Sequence, residues 1–124
     1  MNTKAIVWLV VAVAVLLGGM IWLSSRNNPS DAPAPLDNFA QCLKDKGATM
    51  YGTRTCPYCL QQKKMFGNAF RFINYVECTT EQAKCQVAKV ESVPLWTFAD
   101  GERVVGLQQL KFLAEKTGCE LPTN

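Results

Sequence analysis

The chain has 124 residues, 48% of them hydrophobic and 19% charged. That is room for one domain, and it excludes a large multidomain enzyme, a collagen-like chain and a wholly disordered one. The formal net charge of +3, from 13 Lys and Arg against 10 Asp and Glu, is too balanced for a nucleic-acid partner or a polybasic membrane-surface protein. Histidine is absent, which removes His-based acid–base chemistry, Ser-His and Cys-His nucleophile pairs and His-containing metal sites. Six cysteines are the conspicuous feature.

Ala5 to Leu23 is an uncharged apolar run. As a helix it would span about 28 Å, which matches the hydrocarbon core of a bilayer. Residues 1–23 are therefore expected to form a transmembrane anchor, with Trp8 and Trp22 at the interfaces. The alternative is a cleaved signal peptide, for which the apolar stretch is long. Lys4 and the α-amine favour an N-in orientation, and Arg26 on the far side weakens that asymmetry. Residues 24–36 include Pro29, Pro33 and Pro35 and read as an extended linker. Residues 37–124 are the expected globular domain, which holds all six cysteines. An exported domain this small often relies on cross-links, and an even cysteine count fits an oxidising compartment.

Within the domain, Asp37 is expected to cap a short helix that buries Phe39, Ala40 and Leu43 and closes at Gly47. Ala48 to Gly52 reads as a strand. A helix is expected from Cys56 to about Phe70, with Leu60, Met65 and Phe66 facing inward. Phe72 to Glu77 alternates and reads as a strand. Thr80 to Val90 reads as a third helix. Strands at Pro94 to Ala99 and Glu102 to Val105 meet at Asp100-Gly101, a hairpin signal. A last helix, Leu107 to Lys116, buries Leu110, Leu113 and Ala114 and ends before Gly118. Trp96, Phe98 and Phe112 are expected core residues. The order of elements describes an α/β fold, a small mixed sheet with flanking helices.

Cys56-Pro57-Tyr58-Cys59 lies where a strand gives way to a helix. Cys56 falls at the N-cap and Pro57 in the first turn, where a missing N–H costs nothing. Free amides and the positive helix end favour a thiolate on Cys56. Cysteines three apart can close a disulfide, which makes Cys56 the attacking thiol and Cys59 the resolving one. Half of a zinc site is the alternative, but no His exists and Cys78 and Cys85 lack metal-ligand spacing. Lys63 and Lys64 read as a solvated helix face, or as support for the Cys56 thiolate.

This order of elements, CPYC at the junction and Val93-Pro94 opening the next strand resemble the thioredoxin fold. Met50-Tyr51-Gly52, the CPYC motif, Gln62-Lys63, Phe66-Gly67, Phe70 and Tyr75-Val76-Glu77-Cys78 resemble one subgroup more closely. It is the thioredoxin-like domain fused to bacterial vitamin K epoxide reductase homologues, or free-standing and anchored. The resemblance covers about Asp37 to Pro122. It implies that Cys56 and Cys59 are the redox pair and that Pro94 is a cis-proline beside them, presenting backbone to a substrate peptide. The sequence departs from that pattern at Thr55, where most of the subgroup has Trp. It departs again in the strand Ala48 to Gly52, which lacks the buried aspartate that relays protons in thioredoxin, and in a short Cys78–Cys85 segment. CPYC is also a glutaredoxin motif. Gly106-Leu107-Gln108-Gln109 does not match that family's glutathione-holding stretch.

The remaining cysteines leave several pairings open. Cys78 ends a strand and Cys85 lies early in the next helix, which suits a local bridge. Cys42 lies in the first domain helix and Cys119 after the last, which suits a staple if those helices lie side by side. Structural staples are expected, with an electron relay through one pair as the alternative. The expectation is a membrane-anchored thiol–disulfide oxidoreductase whose catalytic domain is periplasmic or extracellular. It would act on protein thiols and disulfides and be reoxidised by a quinone-linked, vitamin K epoxide reductase-like membrane partner. No cofactor is expected, because the electrons move through sulfur. A tethered reductase, a glutaredoxin-like protein and a non-enzymatic binding module are the alternatives.

Overall fold

The computed structural model describes residues 2–24 and 35–123. The chain divides into two compact units, residues 1–32 and 33–124. Most of the expected linker, including Pro29 and Pro33, lies outside the described residues.

In the first unit, α1 (Thr3–Ser24) is a helix of 22 residues. Its described side chains, which end at Gly19, are exposed, and Trp8 is 76% exposed. Trp22 is among the side chains outside the described set. Among the described residues no helix is long and apolar enough to cross a membrane. The described residues therefore do not supply the spanning helix expected over residues 1–23.

The second unit begins with α2 (Asp37–Asp45), which buries Phe39, Ala40 and Leu43. Asp37 is not the cap: Leu36 holds that position. The Asp37 carboxylate is buried and pairs at 2.7 Å with the Arg71 guanidinium, a charged partner that offsets its desolvation. Gly47 turns the chain at φ +80° and leads into β1 (Thr49–Gly52). α3 follows as Pro57–Phe66. It is shorter than expected, because Gly67 takes φ +56° and a 3-10 helix, Gly67–Phe72, fills the gap. β2 is accordingly Asn74–Glu77, without Phe72. The inward positions of α3 are Cys59, Gln62 and Phe66, spaced as one helical face. Leu60 falls one residue off that phase and is 47% exposed, contrary to the inward placement, and Met65 is half-buried.

α4 (Gln82–Val87) is shorter than the expected Thr80 to Val90. β3 (Leu95–Thr97) and β4 (Arg103–Val105) form the hairpin, with Gly101 at its tip donating to the Phe98 carbonyl. α5 (Leu110–Thr117) starts three residues later than expected, since Gln62 binds the backbone of Gln108 and keeps it out of the helix.

The sheet order is β2-β1-β3-β4. β1 runs parallel to β2 and antiparallel to β3, and β3 pairs antiparallel with β4. This mixed four-stranded sheet with flanking helices fits a thioredoxin-like fold. Met50 and Trp96, paired across β1 and β3, are fully buried. Phe39 stacks on Phe66 at 6.1 Å, and Phe66 meets Trp96 at 6.2 Å. Phe98 is buried in the same cluster, and Phe112 packs on it half-buried.

Two disulfides brace this unit. Cys42 on α2 joins Cys119 beyond α5 with a Cα separation of 5.8 Å. Cys78, after β2, joins Cys85 on α4 at 5.7 Å. They close loops of 77 and 7 residues in sequence separation. The chain-entropy account gives about 4.5 kcal/mol for the long loop and about 2.5 kcal/mol for the short one. Replacing Cys42 and Cys119 together by Ala should therefore lower the urea midpoint more than replacing Cys78 and Cys85 together. Equal or reversed losses would show that native packing, not loop closure, sets the effect.

Candidate dithiol site

β1 ends at Gly52 against the amino end of α3, and the turn between them carries Thr53, Arg54 and Thr55. Cys56 is the N-cap of α3 with extended backbone, and Pro57 occupies the first turn. A β-region N-cap followed by proline starts a helix without losing a needed amide. The Cys59 amide donates to Cys56 Sγ at 3.1 Å. It stabilises negative charge that builds on that sulfur during exchange. Cys56 is half-buried, Cys59 is fully buried and both are free thiols.

Cys56 Sγ also lies 3.8 Å from the Val93 carbonyl oxygen, which accepts from the thiol. The Val93-Pro94 peptide is cis. Pro94 is buried, and its carbonyl accepts from the Gly106 amide at 2.8 Å. The backbone group at the dithiol is thus the Val93 carbonyl, with Pro94 behind it. Cys56, Cys59 and the Val93-Pro94 segment are brought together. Cys42–Cys119 and Cys78–Cys85 are tied up in their own bridges.

Burial, and then a hydrogen bond with Cys56, push the Cys59 thiol up to about 12. A backbone hydrogen bond from Thr53 and the charge of Lys63 act weakly in the opposite direction. Lys63 Nζ sits 4.0 Å from the Tyr75 ring centroid and 5.4 Å from that of Phe70. It is therefore not merely a solvated side chain, and its charge bears on Cys59. Lys64 is exposed.

Four residues near the pair were not singled out in the sequence as functional. Gln62 is fully buried. Its Oε1 accepts from Trp96 Nε1 at 3.3 Å and from the Gln108 amide at 2.7 Å, while its Nε2 donates to the Gln108 carbonyl at 3.0 Å. Gly52 has no room for a side chain: a Cβ there would stand 3.0 Å from Cys59 Sγ and 3.1 Å from the Tyr75 hydroxyl. Tyr75 donates to Glu77 Oε2 at 2.8 Å. Burial and this bond raise the Tyr75 pKa well above its ordinary value. Burial alone would raise the Glu77 carboxyl. Hydrogen bonds from Thr79, Tyr75 and the Arg54 amide outweigh it and hold the group below the usual range. The signal in the sequence was the period-2 spacing that sets Tyr75 and Glu77 on one face. Among the described residues no three or more His, Cys, Asp or Glu side chains cluster as metal ligands.

Fold and geometry together define a thioredoxin-like domain with a thiol pair at the start of α3. No protein-family model matches the chain. The chain is similar to thiol-disulfide oxidoreductase LTO1 of Arabidopsis thaliana, with 40% identity over 92 residues. The match covers 67% of this chain and 24% of the relative, so the chain spans about a quarter of that protein's length.

The raised Cys59 thiol fixes a pH dependence of stability. In the unfolded chain a thiol titrates near 9.0, whereas folded Cys59 keeps its proton to about 12. Between those values the unfolded state binds fewer protons, so stability falls as pH rises and is unaffected well below 9. Urea unfolding of the reduced protein should show a larger loss between pH 8 and pH 10 than the Cys59→Ala variant shows. Parallel losses would mean that Cys59 ionises normally in the fold.

Proposed function

We propose that this chain is a membrane-anchored thiol–disulfide oxidoreductase that exchanges disulfides with protein clients outside the cytoplasm through Cys56 and Cys59. The observation that carries the reading is the half-exposed Cys56 sulfur at a helix N-terminus, held by the Cys59 amide beside the Val93 carbonyl, with Cys59 buried one turn behind. A structural disulfide has no use for an amide aimed at one accessible sulfur. The similarity to a protein named thiol-disulfide oxidoreductase supports the same chemistry.

In the oxidised protein a client thiolate attacks Cys56 Sγ and breaks the Cys56–Cys59 bond. Cys59 leaves as a thiolate and takes up a proton. A second client thiolate attacks the client sulfur of the mixed disulfide, which closes the client disulfide and returns the pair reduced. Reoxidation runs through attack of Cys56 on a partner's disulfide and resolution by Cys59. The favoured partner is a quinone-linked membrane enzyme of the vitamin K epoxide reductase kind. The exposed apolar side chains of α1, Trp8 among them, support a lipid-facing segment, and the uncharged run to Leu23 extends it to spanning length. The cross-linked cysteine pairs support an oxidising compartment.

Cys59→Ser should accumulate mixed disulfides through Cys56 in cells, and Cys56→Ser should accumulate none. Equal trapping by the two variants would overturn the assignment of Cys56 as attacking thiol and Cys59 as resolving thiol. The reduction potential should fall near about −120 mV for an oxidant; a value near about −270 mV would reverse the direction of electron flow. Removal of residues 1–26 should abolish membrane association and leave disulfide exchange intact, as read by fractionation and a thiol-exchange assay.

A further inference from the structure

Cys59 presents a problem of proton traffic. To resolve a mixed disulfide its thiol must lose a proton, yet the residue is fully buried. Its sulfur packs against the spot where Gly52 carries no side chain, a spot too tight to admit one. A Cβ at that point would lie 3.0 Å from Cys59 Sγ and 3.1 Å from the Tyr75 hydroxyl oxygen. Both atoms therefore face the same side-chain-free spot. From there the Tyr75 hydroxyl donates to Glu77 Oε2 at 2.8 Å. Glu77 lies toward the rim, where its other oxygen accepts from Thr79 Oγ1 and from the Arg54 and Thr79 amides.

We infer that Tyr75 and Glu77 form a proton path that connects the buried Cys59 sulfur to solvent during disulfide exchange. The inference rests on the oxidoreductase reading of the dithiol. During resolution, Cys59 Sγ attacks Cys56 Sγ and the bond from Cys56 to the partner sulfur breaks. The Cys59 proton passes to the Tyr75 oxygen as the Tyr75 proton passes to Glu77, and from there to water or to the departing thiolate. Thiol and mixed disulfide become disulfide and thiol, with no net change in protons or electrons. In the reverse direction the same path returns a proton to Cys59 as it leaves.

The charged and titratable groups acting on this path are Cys56 and Lys63 from the start and middle of α3 and Glu77 from β2. Lys63 lies across the Tyr75 ring, not at its hydroxyl. It fixes the ring while leaving the oxygen to Glu77. Burial holds the Cys59 proton until a strong pull removes it, which is the situation a relay relieves.

The test uses the full-length reduced protein and an aromatic disulfide that releases one coloured thiolate per exchange. The first equivalent reports attack by Cys56 and the second reports resolution by Cys59. In Tyr75→Phe the first step should keep its wild-type rate. The second should slow by about 10²-fold near neutral pH and recover as pH rises toward the range where Cys59 ionises unaided. Glu77→Gln should slow the same step by about tenfold, with the same recovery. It sits near the surface, so it carries the comparison should Tyr75→Phe fold poorly. A merely structural role would slow both steps together and leave the pH profile parallel to wild type, and that result overturns the path. A second step within about twofold of wild type in both variants also overturns it. A wild-type protein that releases no thiolate overturns the dithiol reading, and the path with it.

Discussion

A single buried carboxamide holds the site together. Gln62 has no exposure to water, so its oxygen and nitrogen must find partners inside the protein. Its oxygen takes the Trp96 indole N–H and the Gln108 amide, and its nitrogen reaches the Gln108 carbonyl. These bonds join α3, which carries the cysteines, to β3, which follows Pro94, and to the segment entering α5. The distance between Cys56 and the Val93 carbonyl is thus set by packing among three elements. An apolar residue at 62 would leave a buried indole N–H and a buried amide unsatisfied, each costing about 1–3 kcal/mol.

Gly52 constrains the opposite side of the pair. With no Cβ at the end of β1, Cys59 can sit directly on the sheet, and Tyr75 can lean in from the neighbouring strand. Both consequences follow from one missing methyl. The close approach explains the full burial of Cys59 and the raised thiol. It also leaves no room for a carboxylate side chain at this point of β1. The acid that the strand Ala48 to Gly52 lacks is found on β2, two residues beyond Tyr75, tied to it by a hydrogen bond.

Much of this was legible in the sequence, for identifiable reasons. The dithiol announced itself through residue type and spacing, since Cys, Pro and Cys at a strand-to-helix junction have few other uses. The order of the domain's elements followed from periodicity and from Gly101 and Gly118. Other features depend on tertiary contacts. Leu60 is apolar yet exposed, because the buried face of α3 is set by Cys59, Gln62 and Phe66, and a glutamine does not signal a core position. Asp37 had the residue type of a cap but serves as the buried partner of Arg71, a residue 34 positions away in the chain. Helix ends were overrun where Gly67 turns the chain at φ +56° after α3 and where Gln62 binds the backbone of Gln108 ahead of α5. Tyr75 and Glu77 were on one strand face, but only the β1–β2 register puts that face against Gly52 and Cys59.

The positions of the two disulfides complete the division of labour among the six cysteines. Cys42–Cys119 ties α2 to the chain just past α5, and Cys78–Cys85 ties the end of β2 to α4. Neither is attached to the β1–α3 turn, and Cys56–Cys59, three residues apart, closes no long loop of its own. Glu77 is next in sequence to Cys78, whose amide donates to the Gly52 carbonyl at 2.8 Å. The strand end that carries Glu77 is thus held by this backbone bond to Gly52 on one side and by the short bridge to α4 on the other. A small domain that must change one disulfide while keeping its fold needs its other cross-links on elements that hold the site without passing through it. In this chain the nearer of the two bridges does so one residue from the proposed proton path.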